Sequence, residues 1–259
     1  MTIDTSDHYN VAGQEDGRLS RTPHGRLEFL RTQELLRRVL PPAPARVLDV
    51  GGGTGAHARW LAADGYQVAL VDPVAGHVEA AALIPGVAAE LGDARELTAA
   101  DHSADVVLML GPLYHLVDAA DRQRALAEAR RVLRPGGLLA AAGTSRYITL
   151  LEAGSGGRLD AGIAERVART LRTGEYDGHL GFVPAHFHTA EELHAELRAA
   201  GLAEISVYGV EGPVWPALDV AGNDAFDAHV EAALHSARLV ERDALLVNAS
   251  AHLLAVARG

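Results

Sequence analysis

The stretch VLDVGGGTG, residues 47–55, runs from an apolar segment into a turn that contains four glycines. RVLDV (46–50) predicts a buried strand, and the segment after the turn predicts a helix. Gly51, Gly53 and Gly55 leave no side chain between the backbone amides and a ligand, and the following helix adds its N-terminus. The turn also satisfies the dinucleotide-binding pattern G-x-G-x-x-A, so it predicts a nucleotide-like ligand without choosing which one.

The composition limits the chemistry that the chain can perform. Its 259 residues carry a formal charge of −11, from 34 acidic and 23 basic residues, and this acidity disfavours nucleic acid as a partner. No cysteine and no lysine occur, which excludes disulfides, thiolate zinc sites, cysteine nucleophiles and lysine Schiff bases. No apolar run reaches 18 residues, and the N-terminus lacks a basic segment followed by an apolar one. We therefore expect no membrane partner and a cytoplasmic location.

Short apolar segments alternate with amphipathic ones along most of the chain. After the first strand come QVALVD (67–72), DVVLML (105–110), GLLAAAG (137–143), ISVYGV (205–210) and HLLAVAR (252–258). Strands that are apolar throughout and joined by helices predict a doubly wound α/β fold with a mostly parallel sheet. Residues 1–42 predict an N-terminal arm and helical lid, and 43–259 the main domain. Residues 144–188 predict a cap insertion, and a second insertion follows the next strand after it.

Three more features accompany the glycine turn. Asp72 ends the second strand, where a carboxylate can accept both hydroxyls of a ribose, and GDA (92–94) places Asp93 after a third strand. RVLRPGGLL (131–139) predicts a helix that turns through Pro-Gly-Gly into a strand. In this order and spacing, the features over residues 46–143 resemble the class I S-adenosylmethionine-dependent methyltransferases. The resemblance implies a seven-stranded Rossmann-like sheet, methyl transfer as the activity and S-adenosylmethionine as the cofactor.

The resemblance also implies roles for ten residues. Asp49, Gly51, Gly53 and Gly55 would surround the methionine part of the cofactor, and Asp72 with Pro73 would hold its ribose. Asp93 and Ala94 would face the adenine, and Leu110 and Gly111 would lie near the transferred methyl group. We expect Asp72→Ala to weaken cofactor binding and to change thermal stability little.

The acceptor side is predicted from residues near strand ends. LGPLYHL (110–116) has no Asn or Asp before its proline, which puts amide or base-amine methylation in doubt. Tyr114, His115 and His188 are the candidate catalytic residues, although each could equally be a wall or packing residue. The candidate substrate-binding residues are Tyr9, Tyr147, His186, Phe187 and Trp215. The His186–His188 spacing has no matching carboxylate in the sequence, so we expect no metal.

An aromatic lining suits a flat, apolar acceptor. We therefore predict a small aromatic molecule, with indole-type carbon methylation favoured over O- or N-methylation. Stretches such as PHGRLEFLRTQELLRR (23–38) and LGPLYHL resemble a bacterial natural-product subgroup that includes indole carbon methyltransferases. A nicotinamide-dependent oxidoreductase and a non-catalytic cofactor-binding protein remain alternatives, and we expect a monomer or homodimer.

Overall fold

A computed structural model describes residues 17–259, except for the side chain of Arg18, and Tyr9 lies outside these residues. Seven strands form one sheet in the order β3-β2-β1-β4-β5-β9-β8. The strands are β1 (Arg46–Val50), β2 (Gln67–Asp72), β3 (Val87–Leu91), β4 (Ala104–Met109), β5 (Leu133–Thr144), β8 (Ala203–Gly209) and β9 (His252–Arg258). All pairs are parallel except those of β9, which runs antiparallel to β5 and β8. The predicted doubly wound, mostly parallel sheet of seven strands is confirmed.

Eleven α-helices lie within residues 17–259. They are α1 (Arg18–Arg21), α2 (Pro23–Val39), α3 (Ala56–Ala63), α4 (Ala75–Ala82), α5 (Pro112–His115), α6 (Ala119–Val132), α7 (Ile148–Ser155), α8 (Ala161–Thr173), α9 (Ala190–Ala199), α10 (Trp215–Ala221) and α11 (Phe226–Val240). None of these helices has the length and apolar character needed to cross a lipid bilayer.

Local sequence signals set several helix boundaries. The Thr22 hydroxyl accepts a hydrogen bond from the Gly25 N–H at 3.1 Å, and Pro23 occupies the first position of α2. Thr189 and Glu192 form a capping box at the start of α9. The starts of α2 and α9 therefore follow from side chains that satisfy the unpaired amides of the first helical turn.

Apolar side chains bury both faces of the sheet. Leu48 and Val107 belong to a cluster on one face, whereas Val47 and Leu108 belong to a cluster on the other. This alternation along β1 and β4 explains why both strands are apolar throughout, since successive side chains point to opposite faces.

Two insertions lie along the edge of the sheet where the parallel strands end. Residues 145–202 contain α7, α8, α9 and a short hairpin of β6 (Glu175–Tyr176) and β7 (Ala185–His186). Residues 210–251 contain α10 and α11. Leu27 of α2 packs with Trp215 and Phe226 of this second insertion. The domain boundary at residue 42 stays a prediction.

Candidate functional site

A large cavity of about 1310 Å³ lies at the carboxyl ends of the parallel strands. In open α/β sheets this is the edge at which ligands bind. Seven of the residues predicted to bind the cofactor line it: Gly51, Gly53, Asp72, Pro73, Asp93, Ala94 and Gly111. Asp49 and Leu110 line a smaller cavity of about 60 Å³, which shares Gly51, Gly53 and Gly111 with the large one. The fold thus brings nine of the ten predicted residues to one place.

The glycine turn packs closely against the start of α5. Gly51 has a φ of +69°, and a Cβ at this position would lie 2.7 Å from Cγ of Pro112. Gly55 is different, because it does not line either cavity and a Cβ there would meet Cδ1 of Ile84 at 2.4 Å. The missing side chain of Gly55 makes room for Ile84 behind the turn, and its predicted role in holding the cofactor stays a prediction.

Asp72 connects the end of β2 to the glycine turn. Its carboxylate accepts hydrogen bonds from the N–H of Gly53 at 2.9 Å and of Val74 at 3.0 Å, and Nδ1 of His77 lies 3.0 Å away. The residue is 5% exposed. A carboxylate has about four lone-pair sites, so these contacts leave room for one further donor. Asp72 is thus a structural member of the turn as well as a candidate ribose ligand.

Asp49 is a buried carboxyl group at the end of β1. Its Oδ2 has no hydrogen-bond partner among the described residues, and burial, together with the nearby charge of Asp72, raises the pKa of Asp49 to about 7. A buried acceptor that lacks a partner carries a free-energy cost that a cationic ligand group would remove. The amino group of S-adenosylmethionine is such a group. The residues at this end of the site therefore fit that cofactor.

Asp93 lines the cavity, but Arg95 engages its carboxylate. Oδ1 accepts the backbone N–H of Arg95 at 2.8 Å, as in an Asx turn, and the guanidinium lies 2.6 Å from Oδ2. These hydrogen bonds lower the pKa of Asp93. Asp93 therefore stabilises the loop after β3, and a ligand would meet it as part of an ion pair.

Aromatic side chains also line the large cavity. They are Tyr114, His115, Tyr176, Phe182 and Phe187, which we call the aromatic wall. Tyr176 stacks on Phe187 at a centroid distance of 4.7 Å, and Phe182 lies 5.6 Å from His115 and 6.3 Å from Tyr114. The sequence indicated Tyr114, His115 and Phe187. It did not indicate Tyr176 and Phe182, because the irregular segment 174–184 has no periodicity that would predict a buried face.

Four of the predicted acceptor-side residues do not line either cavity. His188 is 0% exposed and sits behind the end of β5, with Nε2 3.3 Å from Oε2 of Glu196. Burial lowers the pKa of His188. His186 bonds Glu192 at 3.1 Å, Trp215 donates to the Ala249 carbonyl from the core, and Tyr147 is 39% exposed. The structure thus places these four residues away from the two cavities, and their predicted catalytic and substrate-binding roles stay predictions.

Two sets of side chains have the proximity that a metal ion requires. In the first, His186 and His188 approach Glu196, a carboxylate that the sequence spacing did not reveal. Arg122, 3% exposed, already lies 2.7 Å from Glu196 and helps to lower the pKa of that carboxyl to about 2. A guanidinium therefore supplies the positive charge that a metal ion would bring.

The second set is Glu28, Glu211 and His252. Nδ1 of His252 lies 2.6 Å from Oε1 of Glu211, which is a hydrogen-bond distance. Two ligands of one zinc ion stand roughly 3 Å or more apart, since each lies about 2 Å from the metal. We therefore assign neither set as a metal centre.

Besides His77, two histidines that the sequence did not indicate line the large cavity. His24 bonds Asp219 through Nδ1 at 2.6 Å and through its backbone N–H at 2.9 Å. Burial lowers the pKa of His24, but the hydrogen bond and charge of Asp219 outweigh it, and the net pKa is raised. His252 is held by Glu211 in the same way, through Nδ1 and the backbone N–H. These partners are 195 and 41 residues away, so no local motif shows them.

Comparison with known proteins gives one family and several relatives. Residues 48–141 match the methyltransferase domain family. An uncharacterized methyltransferase of Mycobacterium tuberculosis is 39% identical over 130 residues, which cover 50% of this chain and 48% of the relative. The chain thus spans about half of the length of that relative.

Longer matches cover most of the chain. The ubiquinone/menaquinone biosynthesis C-methyltransferase UbiE of Acidiphilium cryptum is 33% identical over 190 residues, which cover 68% of this chain and 74% of the relative. Among solved structures, a methyltransferase of Thermotoga maritima, titled a possible histamine N-methyltransferase, superposes with a TM-score of 0.60 at 21% identity. That match covers 98% of this chain and 97% of the other, and it shows the same fold.

Proposed function

Because the chain belongs to the class I S-adenosylmethionine-dependent methyltransferases, we propose that it transfers a methyl group to a small aromatic acceptor. S-adenosylmethionine is the cofactor of this family. The glycine turn alone is also compatible with a nicotinamide nucleotide, and membership of the family decides between the two in favour of S-adenosylmethionine. The cofactor leaves the reaction as S-adenosylhomocysteine.

The observation that carries the proposal is the aromatic wall in the same cavity as the cofactor residues. Gly111 and Tyr114 follow the end of β4, where the methyl group is expected. Both line the same cavity as Tyr176, Phe182 and Phe187. Rings prefer offset or edge-to-face contacts with other rings at centroid distances of about 4.5–7 Å. A planar acceptor in this cavity would therefore find ring contacts beside the residues proposed to hold the cofactor.

Carbon methylation remains our favoured reaction, ahead of O- and N-methylation. The relative from A. cryptum is named a C-methyltransferase of ubiquinone and menaquinone biosynthesis, which supports an electron-rich ring carbon as the acceptor atom. The chain's acidity continues to disfavour nucleic acid. An indole-like ring, a role in natural-product biosynthesis, a cytoplasmic location and a monomeric or homodimeric state are further parts of the proposal.

Alignment would supply most of the rate enhancement in such a site. The bound cofactor supplies an activated methyl group. The protein must hold the acceptor about 3–3.5 Å from it and exclude water, effects worth up to roughly 7–11 kcal/mol. Here the aromatic wall would orient the ring and exclude water. Asp49, Asp72 and the glycine turn would fix the cofactor on the opposite side. We propose that Tyr114 and His115, which line the same cavity, contact the acceptor.

Two measurements test the proposal. Calorimetry with S-adenosylmethionine, S-adenosylhomocysteine, NAD and NADP should give binding of the first two only. Mass spectrometry of small indoles, phenols and aromatic amines, incubated with the protein and deuterium-labelled S-adenosylmethionine, should then show a labelled product. Methylation of transfer RNA without transfer to any aromatic compound would contradict the proposed acceptor.

A matched pair of variants tests the wall itself. Phe182 and Phe29 are both half-buried phenylalanines, but only Phe182 lines the cavity. Phe182→Ala should raise KM for the aromatic acceptor about 2–10-fold, since one ring–ring contact is worth about 0.5–1.5 kcal/mol. Phe29→Ala should leave KM unchanged. Equal KM values for both variants would mean that the acceptor binds elsewhere.

A further inference from the structure

His252 is fixed in one orientation by a buried carboxylate. Its backbone N–H donates to Oε2 of Glu211 at 2.9 Å, and its ring Nδ1 lies 2.6 Å from Oε1 of the same group. Glu211 is 0% exposed, and both of its oxygens bond the same residue. The imidazole therefore has little freedom to rotate, and the pair is preorganised before any ligand arrives.

The carboxylate also determines which ring nitrogen carries the proton. An ionised glutamate only accepts hydrogen bonds, so beside an ionised Glu211 the donor in a neutral His252 is Nδ1. The other nitrogen, Nε2, is then an acceptor. The pair thus has the arrangement in which a carboxylate holds a histidine in the tautomer that can take a proton.

The topology of the sheet brings this pair to the edge where the cofactor binds. Glu211 follows the end of β8, and His252 begins the antiparallel β9 opposite Thr144, the last residue of β5. His252 lines both cavities. In the smaller one it shares the lining with Asp49, Gly111 and Tyr114.

A second polar group in the large cavity points to a ligand. Thr149 of α7 is 3% exposed and lines the cavity, and its hydroxyl has no hydrogen-bond partner among residues 17–259. A buried hydroxyl without a partner is costly, by about 1–3 kcal/mol, unless a ligand or water bonds it. The cavity therefore combines an aromatic wall with a hydroxyl that would bond a polar group of the acceptor.

We propose that His252, positioned by Glu211, accepts a proton from the acceptor, and that the acceptor therefore carries an O–H or N–H group that ionises as it is methylated. This inference rests on the proposed function and adds the chemical class of the acceptor: a phenol, an enol or a ring N–H compound such as an indole. A tertiary amine or a thioether, which has no proton to lose, would not need this pair.

The proton and electron pairs balance in this step. The O–H or N–H bond of the acceptor breaks and its proton moves to Nε2, which gives an imidazolium beside Glu211. The electron pair that remains on the acceptor, directly or through its conjugated ring, forms the new bond to the methyl carbon. The electron pair of the carbon–sulfur bond stays on sulfur, which becomes the thioether of S-adenosylhomocysteine. His252 later releases the proton to water.

The main test compares His252→Asn with His229→Asn, which changes an exposed histidine of α11 outside both cavities. With the acceptor found in the mass-spectrometric panel, His252→Asn should lower kcat about 10²–10⁴-fold at saturating substrates, the usual contribution of a general base. Its affinity for S-adenosylhomocysteine should stay within about threefold of wild type, and His229→Asn should match wild type. A kcat for His252→Asn within about threefold of wild type would overturn the inference and leave the proposed function standing.

A pH profile separates proton transfer from a merely structural effect. Glu211→Gln removes one negative charge 2.6 Å from the ring, so the acidic limb of kcat against pH should move to lower pH while the plateau falls. Three other titratable groups face this part of the site: Glu28 and His24 of α2, and Asp49 of β1. They are unchanged between the wild type and Glu211→Gln, so they do not account for a difference between the two pH profiles. A lower plateau with an unmoved limb would overturn the proposed role of the pair.

A third readout needs no acceptor. Nuclear magnetic resonance of protein with ¹⁵N-labelled histidine, assigned with His252→Asn, should show a proton on Nδ1 and none on Nε2 when His252 is neutral. A proton on Nε2 would overturn the inference without affecting the proposed function. Failure of every O–H or N–H compound as an acceptor, with transfer to a tertiary amine instead, would also overturn it.

Discussion

Replacement of Asp49 by asparagine should stabilise the protein without ligand and weaken its cofactor binding. Burial and the charge of Asp72 raise the pKa of Asp49 to about 7, from an ordinary value of 3.8. Because the pKa in the folded protein is higher than in the unfolded chain, the stability that Asp49 contributes is complete below about pH 4. That contribution is lost as the pH rises from about 4 to about 7. Above pH 7 the folded protein carries a buried, ionised carboxylate.

The expected magnitude follows from the size of this shift. Between pH 5 and pH 8 the free energy of unfolding of the wild type should fall by about 3 kcal/mol. About two pKa units of the Asp49 shift lie within this range, and each unit is worth about 1.4 kcal/mol. The asparagine side chain has the same size as the aspartate that it replaces, and it does not ionise. The free energy of unfolding of Asp49→Asn, relative to wild type, should therefore increase by about 3 kcal/mol over this range.

The assay is chemical denaturation at several pH values, combined with calorimetric titration of S-adenosylmethionine. Asp224→Asn, at an exposed position, is the matched control and should show no such trend. The wild type's affinity for S-adenosylmethionine should fall as the pH drops below about 7, because the amino group of the ligand must displace the proton on the Asp49 carboxyl. The affinity of Asp49→Asn should be weaker by about 1.5–3 kcal/mol and nearly independent of pH. A stability difference that does not vary with pH would refute the buried-carboxyl argument, and unchanged affinity would refute the proposed contact.

Two further substitutions test the turn that we propose holds the cofactor. Gly51→Ala should lower the melting temperature and abolish tight binding of S-adenosylhomocysteine, because its φ of +69° is strained for alanine and its Cβ would overlap Pro112; Gly76→Ala, where a Cβ meets nothing within 4 Å, should be neutral or stabilising. Asp72→Ala should weaken cofactor binding and, against the expectation from sequence, also reduce stability by at least about 2 kcal/mol, since Gly53, Val74 and His77 lose their acceptor. At roughly 2–4 °C per kcal/mol this is a fall of at least about 4 °C, measurable by differential scanning fluorimetry with Asp224→Ala as control. An unchanged melting temperature would show that water replaces the carboxylate at no cost.

Much of the fold could be predicted because its strands carry their signal locally. RVLDV and QVALVD coincide with β1 and β2, and HLLAVAR coincides with β9. The insertion between β5 and α9 could not be predicted in detail. Its hairpin strands have two residues each, and the glycines at 174, 178 and 181 have positive φ values, so no period of hydrophobic residues develops.

The grouping of the residues that we propose for the cofactor could be predicted for a related reason. They lie at the ends of strands or directly after them, and the carboxyl ends of parallel strands meet at one edge, so positions in the chain translate into positions in space. Gly55 shows where this translation stops, since it continues the glycine pattern but faces Ile84. A sequence motif specifies a backbone conformation, and whether a given glycine meets a ligand or a neighbouring side chain depends on packing that lies elsewhere in the chain.

The histidines on the acceptor side show the same limit more sharply. His188 stands beside a capping box and in a paired-histidine motif, yet it is buried behind β5 against Glu196. His252 has no motif around it, but it is the first residue of a strand that runs antiparallel to its neighbours. The start of an antiparallel strand lies at the same edge as the ends of the parallel ones, and Glu211 reaches that edge because it follows β8. Once the order of the strands is known, the first residue of β9 is therefore a better candidate for contact with the acceptor than a histidine chosen for its spacing.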